Sequence, residues 1–315
     1  MTMMRDVLAQ FAQVMAVLAL APLLQGFILK AEERVQMSRG PSLLQPYRDL
    51  WKLFHKQQMV PDTASWIFWA TPVIAFTAML TVPLLIPVLT DYPLPLSNIG
   101  DILGGGLILT LGTFFINLAA LDTGSTYGGI GASRTVMLSI LAEPTLILVF
   151  VGITLMAHAM LPFVVNHLLV AEPAIYWNPT HLFLVVAFFI LLLVETDRLP
   201  IHSSTHIEVY MIEEARILEY SGPLLALLRW SSMMKQFILY TIFCNVLTLP
   251  WGLTETGSAL GLLGASAAIL LKFLLVALVV VVVETAQARL RFYRYQEPLA
   301  AAFLLAVLAI VANQI

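Results

Sequence analysis

Charge is what this sequence lacks most. Only 11% of its 315 residues are Asp, Glu, Lys or Arg, where a soluble globular protein carries about 25%. Hydrophobic residues make up 60%, against roughly 45–50% in soluble domains. Too little polar side chain remains to cover a water-facing surface, so the chain reads as an integral membrane protein. Cysteine is nearly absent as well. The single Cys244 lies in an apolar run, which excludes an internal disulfide and any iron–sulfur cluster ligated by cysteines of this chain alone. There is no excess of positive charge: the net charge of −3 speaks against nucleic-acid binding, which concentrates basic residues on one face. No repeat and no low-complexity tract occurs. Gly104, Gly105 and Gly106 sit inside an apolar stretch and suit close helix packing rather than phosphate binding. No histidine pair has metal-ligand spacing with a supporting carboxylate, and His202 and His206 follow a proline, Pro200. No nucleophile stands beside a base.

What is present is a series of long apolar stretches. A spanning helix needs about 20 apolar residues in a row, and eight segments qualify: 7–29, 65–89, 101–121, 135–160, 179–197, 234–253, 259–288 and 297–314. The expected fold is therefore all-α and polytopic, a single integral membrane domain over residues 1–315 with about eight transmembrane helices. The first segment lacks the short apolar core and cleavage site of a signal peptide and is expected to stay in the mature protein. All but two of the 16 Lys and Arg residues fall in 30–64, 122–134, 198–235 and 289–296. These are alternate connections, so the positive-inside rule places them in the cytoplasm and both termini outside. Arg5 and Lys272 are the exceptions. The two long cytoplasmic loops, 30–64 and 198–233, hold most of the polar residues.

Ionisable groups inside a bilayer are costly and mark functional sites by default. Glu143 precedes Pro144 about eight residues into the predicted fourth helix, roughly 12 Å below its cytoplasmic end at 1.5 Å per residue. Lys272 lies mid-way along the seventh. Glu195 and Asp197 close the fifth, and Glu284 lies near the cytoplasmic end of the seventh. Desolvated carboxylates exchange protons near neutral pH, so Glu143, Glu195 and Glu284 with Lys272 are candidates for a proton pathway. The competing readings are interfacial solvation for Asp197 and Glu284 and a structural ion pair for Glu143 and Lys272.

The first loop contains Arg34, Gln36, Arg39, Gly40 and Pro41, then Gln45, Asp49 and Lys52. From Tyr47 onward its apolar and charged residues separate onto two faces, as in a basic helix lying along the interface. The second loop carries Glu195, Arg198 and Pro200, then Glu208, Glu213, Glu214, Glu219 and Tyr220. Four glutamates in this stretch are unusual for a membrane-surface helix, which favours Lys and Arg. Proton entry or partner docking accounts for them; the plain alternative is a solvated helix.

These motifs, in order, resemble a known family. Arg34-x-Gln36-x-x-Arg39-Gly40-Pro41, Gln45-Pro-x-x-Asp49-x-x-Lys52-Leu, Glu195-x-x-Arg198-x-Pro200 and Glu219-Tyr220-Ser-Gly222 are similar to the NuoH-type membrane subunit of respiratory complex I, over nearly the whole chain. The finer resemblance is to the corresponding subunits of membrane-bound nickel–iron hydrogenases of the formate hydrogenlyase and hydrogenase-4 kind. It rests on the short Pro41–Gln45 spacing, on Leu121 to Arg134 with Leu-Ala-Glu143-Pro144, and on Thr205 to Ala215. The sequence departs from the family pattern at Thr135 and His202, where acids are usual.

The resemblance implies a membrane anchor and coupling subunit in a bacterial or archaeal cytoplasmic membrane, with no cofactor of its own. Its nickel–iron centre and iron–sulfur clusters would lie in partner subunits: a hydrogenase-type large subunit, an iron–sulfur small subunit and ferredoxin-like subunits. Antiporter-like membrane subunits would flank it within the lipid. The resemblance implies a proton pathway through Glu143, Glu195, Glu208, Glu213, Glu214, Glu219, Lys272 and Glu284. Docking would use Arg34, Gln36, Arg39, Gly40, Pro41, Gln45, Asp49, Lys52, Arg134, Arg198 and Tyr220. The alternatives are the quinone-site subunit of a complex I-type dehydrogenase and a stand-alone secondary transporter. The second is disfavoured because no paired halves or broken helices are evident.

Overall fold

The chain is seen in a computed structural model that describes residues 2–35, 37, 40–97, 100–196, 198, 213–254, 258–286 and 296–314. These form helices α1 (Thr2–Val35), α2 (Gln45–Phe54), α3 (Trp66–Leu85), α4 (Ile102–Asp122), α5 (Thr126–Ala157), α6 (Pro162–Ala171) and α7 (Pro179–Glu195). The short α8 (Glu213–Arg216), then α9 (Gly222–Thr241), α10 (Ala259–Ala286) and α11 (Gln296–Ala312) complete the helices. A π-helical turn, Ile242–Thr248, continues α9. The described residues contain no strand beyond a single bridge between Thr90 and Thr254. Each of the eight apolar segments holds a helix. Five helices, α1, α3, α4, α5 and α10, are long and apolar enough to cross a membrane.

Local chemistry sets the helix starts. Ser65, Asp101 and Asn178 each accept a backbone N–H of the first turn of α3, α4 and α7, which satisfies one orphan donor apiece. Proline occupies the first turn of α2, α6, α7 and α9, where its missing N–H costs nothing.

Three boundaries differ from the sequence expectation. Helix α5 begins at Thr126, not near 135, because Gly128 is used for close packing. A β-carbon on Gly128 would meet the Ala120 carbonyl oxygen of α4 at 2.6 Å. The expected loop at 122–134 shrinks to a tight turn through Gly124, whose φ is +66°. Arg134 therefore lies on a helix, and Glu143 sits about 17 residues from the start of α5, roughly 26 Å rather than 12 Å at 1.5 Å per residue. Helix α9 begins at Gly222, so residues 222–233 of the expected second loop are helical. Arg229 and Lys235 are held there by acidic partners on other elements. The third difference is α6, ten residues in an expected connection and too short to register as a span.

Helix α3 packs along α4, α11 against α7 and α5, and α9 between α1 and α3. The end of the bundle away from the basic loops is closed by irregular chain. Residues 86–90 are buried. Around the bridge, the Asp91 N–H donates to the Thr254 carbonyl and the Thr254 N–H to the Leu89 carbonyl. Gln13 of α1 binds the Pro83 and Ile86 carbonyls. Non-helical backbone at such depth is stable only where protein groups or water satisfy it.

Candidate functional site

The charged side chains collect at the ends of α1, α7 and α10 nearest the basic loops, which we call the basic end, and are joined there by Lys235 from part-way along α9. Glu195 is the last residue of α7, and its carboxylate lies 2.6 Å from the Lys235 ammonium of α9. The same ammonium reaches Thr113 Oγ1 of α4 at 3.2 Å. Glu143 of α5 is half-buried and within electrostatic reach of both Glu195 and Lys235. Lys235 is thus paired with Glu195, and Glu143 lies near the pair without joining it at ion-pair distance.

Arg198 forms a second centre. Its guanidinium is bonded to Glu32 of α1, lies 3.9 Å from a Glu284 oxygen of α10 and reaches Gln25 at 3.3 Å. With only 9% of the Arg198 side chain exposed, the cluster ties α1 to α10 through a charge-assisted network. Here two carboxylates share one cation.

The surface around these centres is built more plainly. Arg216, buried, donates to Asn117 Oδ1 of α4 at 3.2 Å. Arg229 and Glu214 pair at 2.8 Å with both side chains partly exposed. Tyr220 stacks on Phe68 with ring centres 4.0 Å apart and donates to the Phe68 carbonyl at 2.9 Å. Burial pushes its hydroxyl well above the usual tyrosine range. Glu219, beside it, is half-buried.

Helix α2 is clamped to the bundle. The Tyr47 hydroxyl donates to the Ala19 carbonyl, and a β-carbon on Gly26 would collide with the Leu43 carbonyl oxygen. Asp49 accepts from Gln45 at 2.9 Å. Arg34, Gly40, Asp49 and Lys52 face outward, with Pro41 half-buried, so the described part of this loop offers a polar face. Arg134 is half-buried on α5. Gln36, Arg39 and Glu208 lie outside the described residues, as does the side chain of Glu213.

Lys272 stands apart from all of these. It is 1% exposed, and its ammonium donates to Asn245 Oδ1 at 2.8 Å and lies 5.2 Å from the centre of the Trp251 ring. Among the described residues no carboxylate is within ion-pair distance of it. The structural ion pair considered for Glu143 and Lys272 is therefore not formed. Among the described residues no group of three or more His, Cys, Asp or Glu side chains is placed to hold a metal ion.

Sequence reasoning misses Glu32, Lys235 and Asn245. Glu32 sits in the run Lys30-Ala-Glu-Glu-Arg34, which reads as a solvated helix end, and Lys235 reads as a loop charge. Asn245 does carry a signal: it is the lone amide in a long apolar run.

The NADH dehydrogenase family model matches residues 8–313. The chain is 33% identical to formate hydrogenlyase subunit 4 of Escherichia coli (strain K12) over 291 residues, 91% of this chain and 92% of that protein. It is 32% identical to hydrogenase-4 component C of the same organism over 305 residues, 96% and 94% of the two chains. A shorter match is to an NADH-quinone oxidoreductase subunit of Anaplasma phagocytophilum (strain HZ), 31% identical over 187 residues, 53% of this chain and 54% of that protein. In fold the chain is similar to one from the membrane-bound sulfane sulfur reductase, an archaeal respiratory membrane complex. The TM-score there is 0.78 at 21% identity, covering 96% of this chain and 99% of that one. This multi-pass membrane chain belongs to the NADH dehydrogenase family of NuoH-like membrane subunits.

Proposed function

We propose that this chain is the membrane anchor and coupling subunit of an energy-converting hydrogenase of the formate hydrogenlyase or hydrogenase-4 type. The observation that carries the reading is the pair of charge clusters inside the bundle, Lys235–Glu195 with Glu143 near it and Glu32–Arg198–Glu284. Each brings two acids near one base, so a charge arriving nearby would shift a proton rather than merely polarise the site. Near-full-length likeness to two hydrogenase-complex subunits supports the hydrogenase form over the quinone-site form. The partners would be a nickel–iron large subunit, an iron–sulfur small subunit, ferredoxin-like carriers and antiporter-like membrane subunits. The metal centres would lie in those partners. Segments 30–64 and 198–221 would face the cytoplasm, with Arg34, Asp49 and Lys52 docking the redox arm beside Arg198, Arg134 and Tyr220, and both termini would face outward. Protons would enter at Glu214 and Glu219 and pass to Glu195 and Glu143. Redox chemistry in the arm would drive ion movement through that chain.

The test is Glu143→Gln, which keeps the shape and removes the titrating group. Assembly should survive while coupled ion movement falls about tenfold, roughly 1.4 kcal/mol of barrier. Normal pumping by that variant would return Glu143 to a structural role. Hydrogen turnover by the purified complex without added quinone, and nickel in the preparation, are expected. Quinone-dependent turnover with no nickel would instead favour a complex I-type dehydrogenase.

A further inference from the structure

Helix α2 divides its circumference into three sectors. Pro46 and Leu50 are buried against α9 and α1, the helices on which α2 packs. The next sector is apolar and holds Tyr47, Trp51 and Phe54, spaced as neighbours along one helical face. The Tyr47 hydroxyl reaches back to the Ala19 carbonyl of α1. Phe54 meets Trp230 of α9 edge-on, 6.3 Å between ring centres. Trp51 is 71% exposed. The remaining sector carries Arg48, Asp49, Lys52 and His55, all exposed. Trp51 thus stands on the border between the apolar and charged sectors, with Arg48 one turn before it and His55 one turn after. His55 steadies the indole: the two rings lie 4.5 Å apart, and His55 Nδ1 is 2.8 Å from the Trp51 carbonyl oxygen. An indole held this open is unfavourable in water and well suited to a bilayer surface, where ring and N–H each find a matching medium.

A second set of rings gives the height of α2 independently. Trp66 and Trp69 open α3 and are 70% and 50% exposed. Val73, one turn on, is exposed as well, so this face continues along the outside of a spanning helix. Tyr127, in the first turn of α5, is also exposed. Hydrogen bonds hold these helix starts level. The Ser65 N–H donates to Asp122 at the end of α4 at 2.8 Å, and the Thr63 hydroxyl to the Thr123 carbonyl at 2.7 Å. The chain leaving α2 is tied to the same level. The Met59 N–H donates to Ser221 Oγ at 2.7 Å, and Tyr220 bonds the Phe68 carbonyl between the two tryptophans. Exposed Trp and Tyr gathered at one level of a membrane protein mark the headgroup layer. The charge at this level suits anions. Arg48, Lys52 and Lys56 stand against Asp49, whose carboxylate is already bonded by Gln45.

We propose that the border Arg48–Trp51–His55 is a seat for the headgroup of an anionic phospholipid. The Arg48 guanidinium takes the phosphate, whose oxygens match its planar fork. The Trp51 indole lies along the glycerol and the top of an acyl chain, and His55 positions that indole. A zwitterionic lipid carries the same phosphate but brings its own cation, which the basic sector repels, so the seat selects for net negative charge. The flank of α2 bearing Asp49 is left free for protein. One ten-residue helix therefore meets the bundle on one side, lipid on the second and a partner on the third. The seat is the same whether the partners are hydrogenase or dehydrogenase subunits, so it does not rest on the coupling role proposed above.

The test uses the intact purified complex in phosphatidylcholine nanodiscs. These carry, at equal mole fraction, photoreactive phosphatidylglycerol or photoreactive phosphatidylcholine, each with a diazirine near the top of one acyl chain. After illumination, peptide mass spectrometry reads attachment to residues 49–56. Phosphatidylglycerol should label this stretch about fivefold more than phosphatidylcholine, the effect of one basic residue at an anionic surface. Arg48→Gln should remove that excess, and Lys56→Gln, beyond the end of the helix, should keep it. Both side chains are exposed, so the packing of α2 survives either change, and co-purifying subunits confirm assembly. Equal labelling by the two lipids would overturn the seat and leave α2 a plain interfacial anchor. The same loss in both variants would overturn it in favour of diffuse surface charge. Attachment at Trp66 and Trp69 with none at 49–56 would also overturn it, since a protein partner would then cover this flank.

Discussion

The basic end of the bundle and its middle handle buried charge in opposite ways. At the basic end Arg198 faces two carboxylates from separate helices, and Lys235 pairs with Glu195 while Glu143 lies near that pair. In the middle Lys272 faces an amide oxygen and an indole ring. The first arrangement fixes helices to one another: α1 to α10 through Arg198, and α7 to α9 through Lys235. The second fixes little by Coulomb attraction, because an amide dipole and a ring quadrupole stabilise a cation far less than a carboxylate does. Ion pairs of the first kind resist disruption. A cation of the second kind has, among the described residues, no counter-ion to hold it in place.

The largest effect should come from breaking the stronger side of this contrast. Arg198→Leu leaves Glu32 and Glu284 buried without a cation, at a cost of about 3–5 kcal/mol. The complex extracted in detergent should lose this subunit on size-exclusion chromatography after mild heating. Adding Glu32→Leu should recover part of the loss. If Arg198→Leu proves as stable as the parent, the basic-end cluster is not what holds α1 to α10.

A smaller effect is expected in the middle. Asn245→Leu removes the acceptor for Lys272 and the donor to the Pro87 carbonyl, each a buried group left unsatisfied, for about 1–3 kcal/mol. The same heating series should place it between Arg198→Leu and the parent. A cost as large as that of Arg198→Leu would erase the distinction between the two regions, because Asn245 would then be as structural as any ion pair.

Smaller again is Tyr220→Phe, which keeps the stack on Phe68 and loses one hydrogen bond to its carbonyl, about 0.5–1.5 kcal/mol. The smallest change belongs to Arg229→Ala. Its pair with Glu214 is exposed by about a third or more on each side, and such surface pairs contribute about 0–1 kcal/mol. Thermal stability indistinguishable from the parent is expected, with the difference shrinking further at high salt. A large loss there would mean that Arg229 meets a partner subunit.

Much of this molecule is legible in the sequence, for reasons local to each residue. Glu143, Glu195, Glu284 and Lys272 announce themselves because a charge inside an apolar run is conspicuous whatever the fold. The motifs around Gly40, Glu195 and Tyr220 carry the family. The start of α5 is not legible, because Gly128 looks like part of a loop until α4 is known to lie against it. Nor is the start of α9, because Arg229 and Lys235 look like loop charges until Glu214 and Glu195 are found beside them.

The sequence by itself determined that this chain lives in a membrane, which eight stretches hold its apolar helices and to which family it belongs. Hydropathy, turn chemistry and motif order are local properties, and each can be read one stretch at a time. Only the tertiary structure decided which charge meets which. Glu32 and Arg198 are 166 residues apart, Glu195 and Lys235 are 40 apart, and Lys272 meets Asn245 rather than any acid among the described residues. Those pairings depend on which helices pack side by side and at what height. Side-chain packing over the whole bundle sets both, and no single stretch of sequence contains that information.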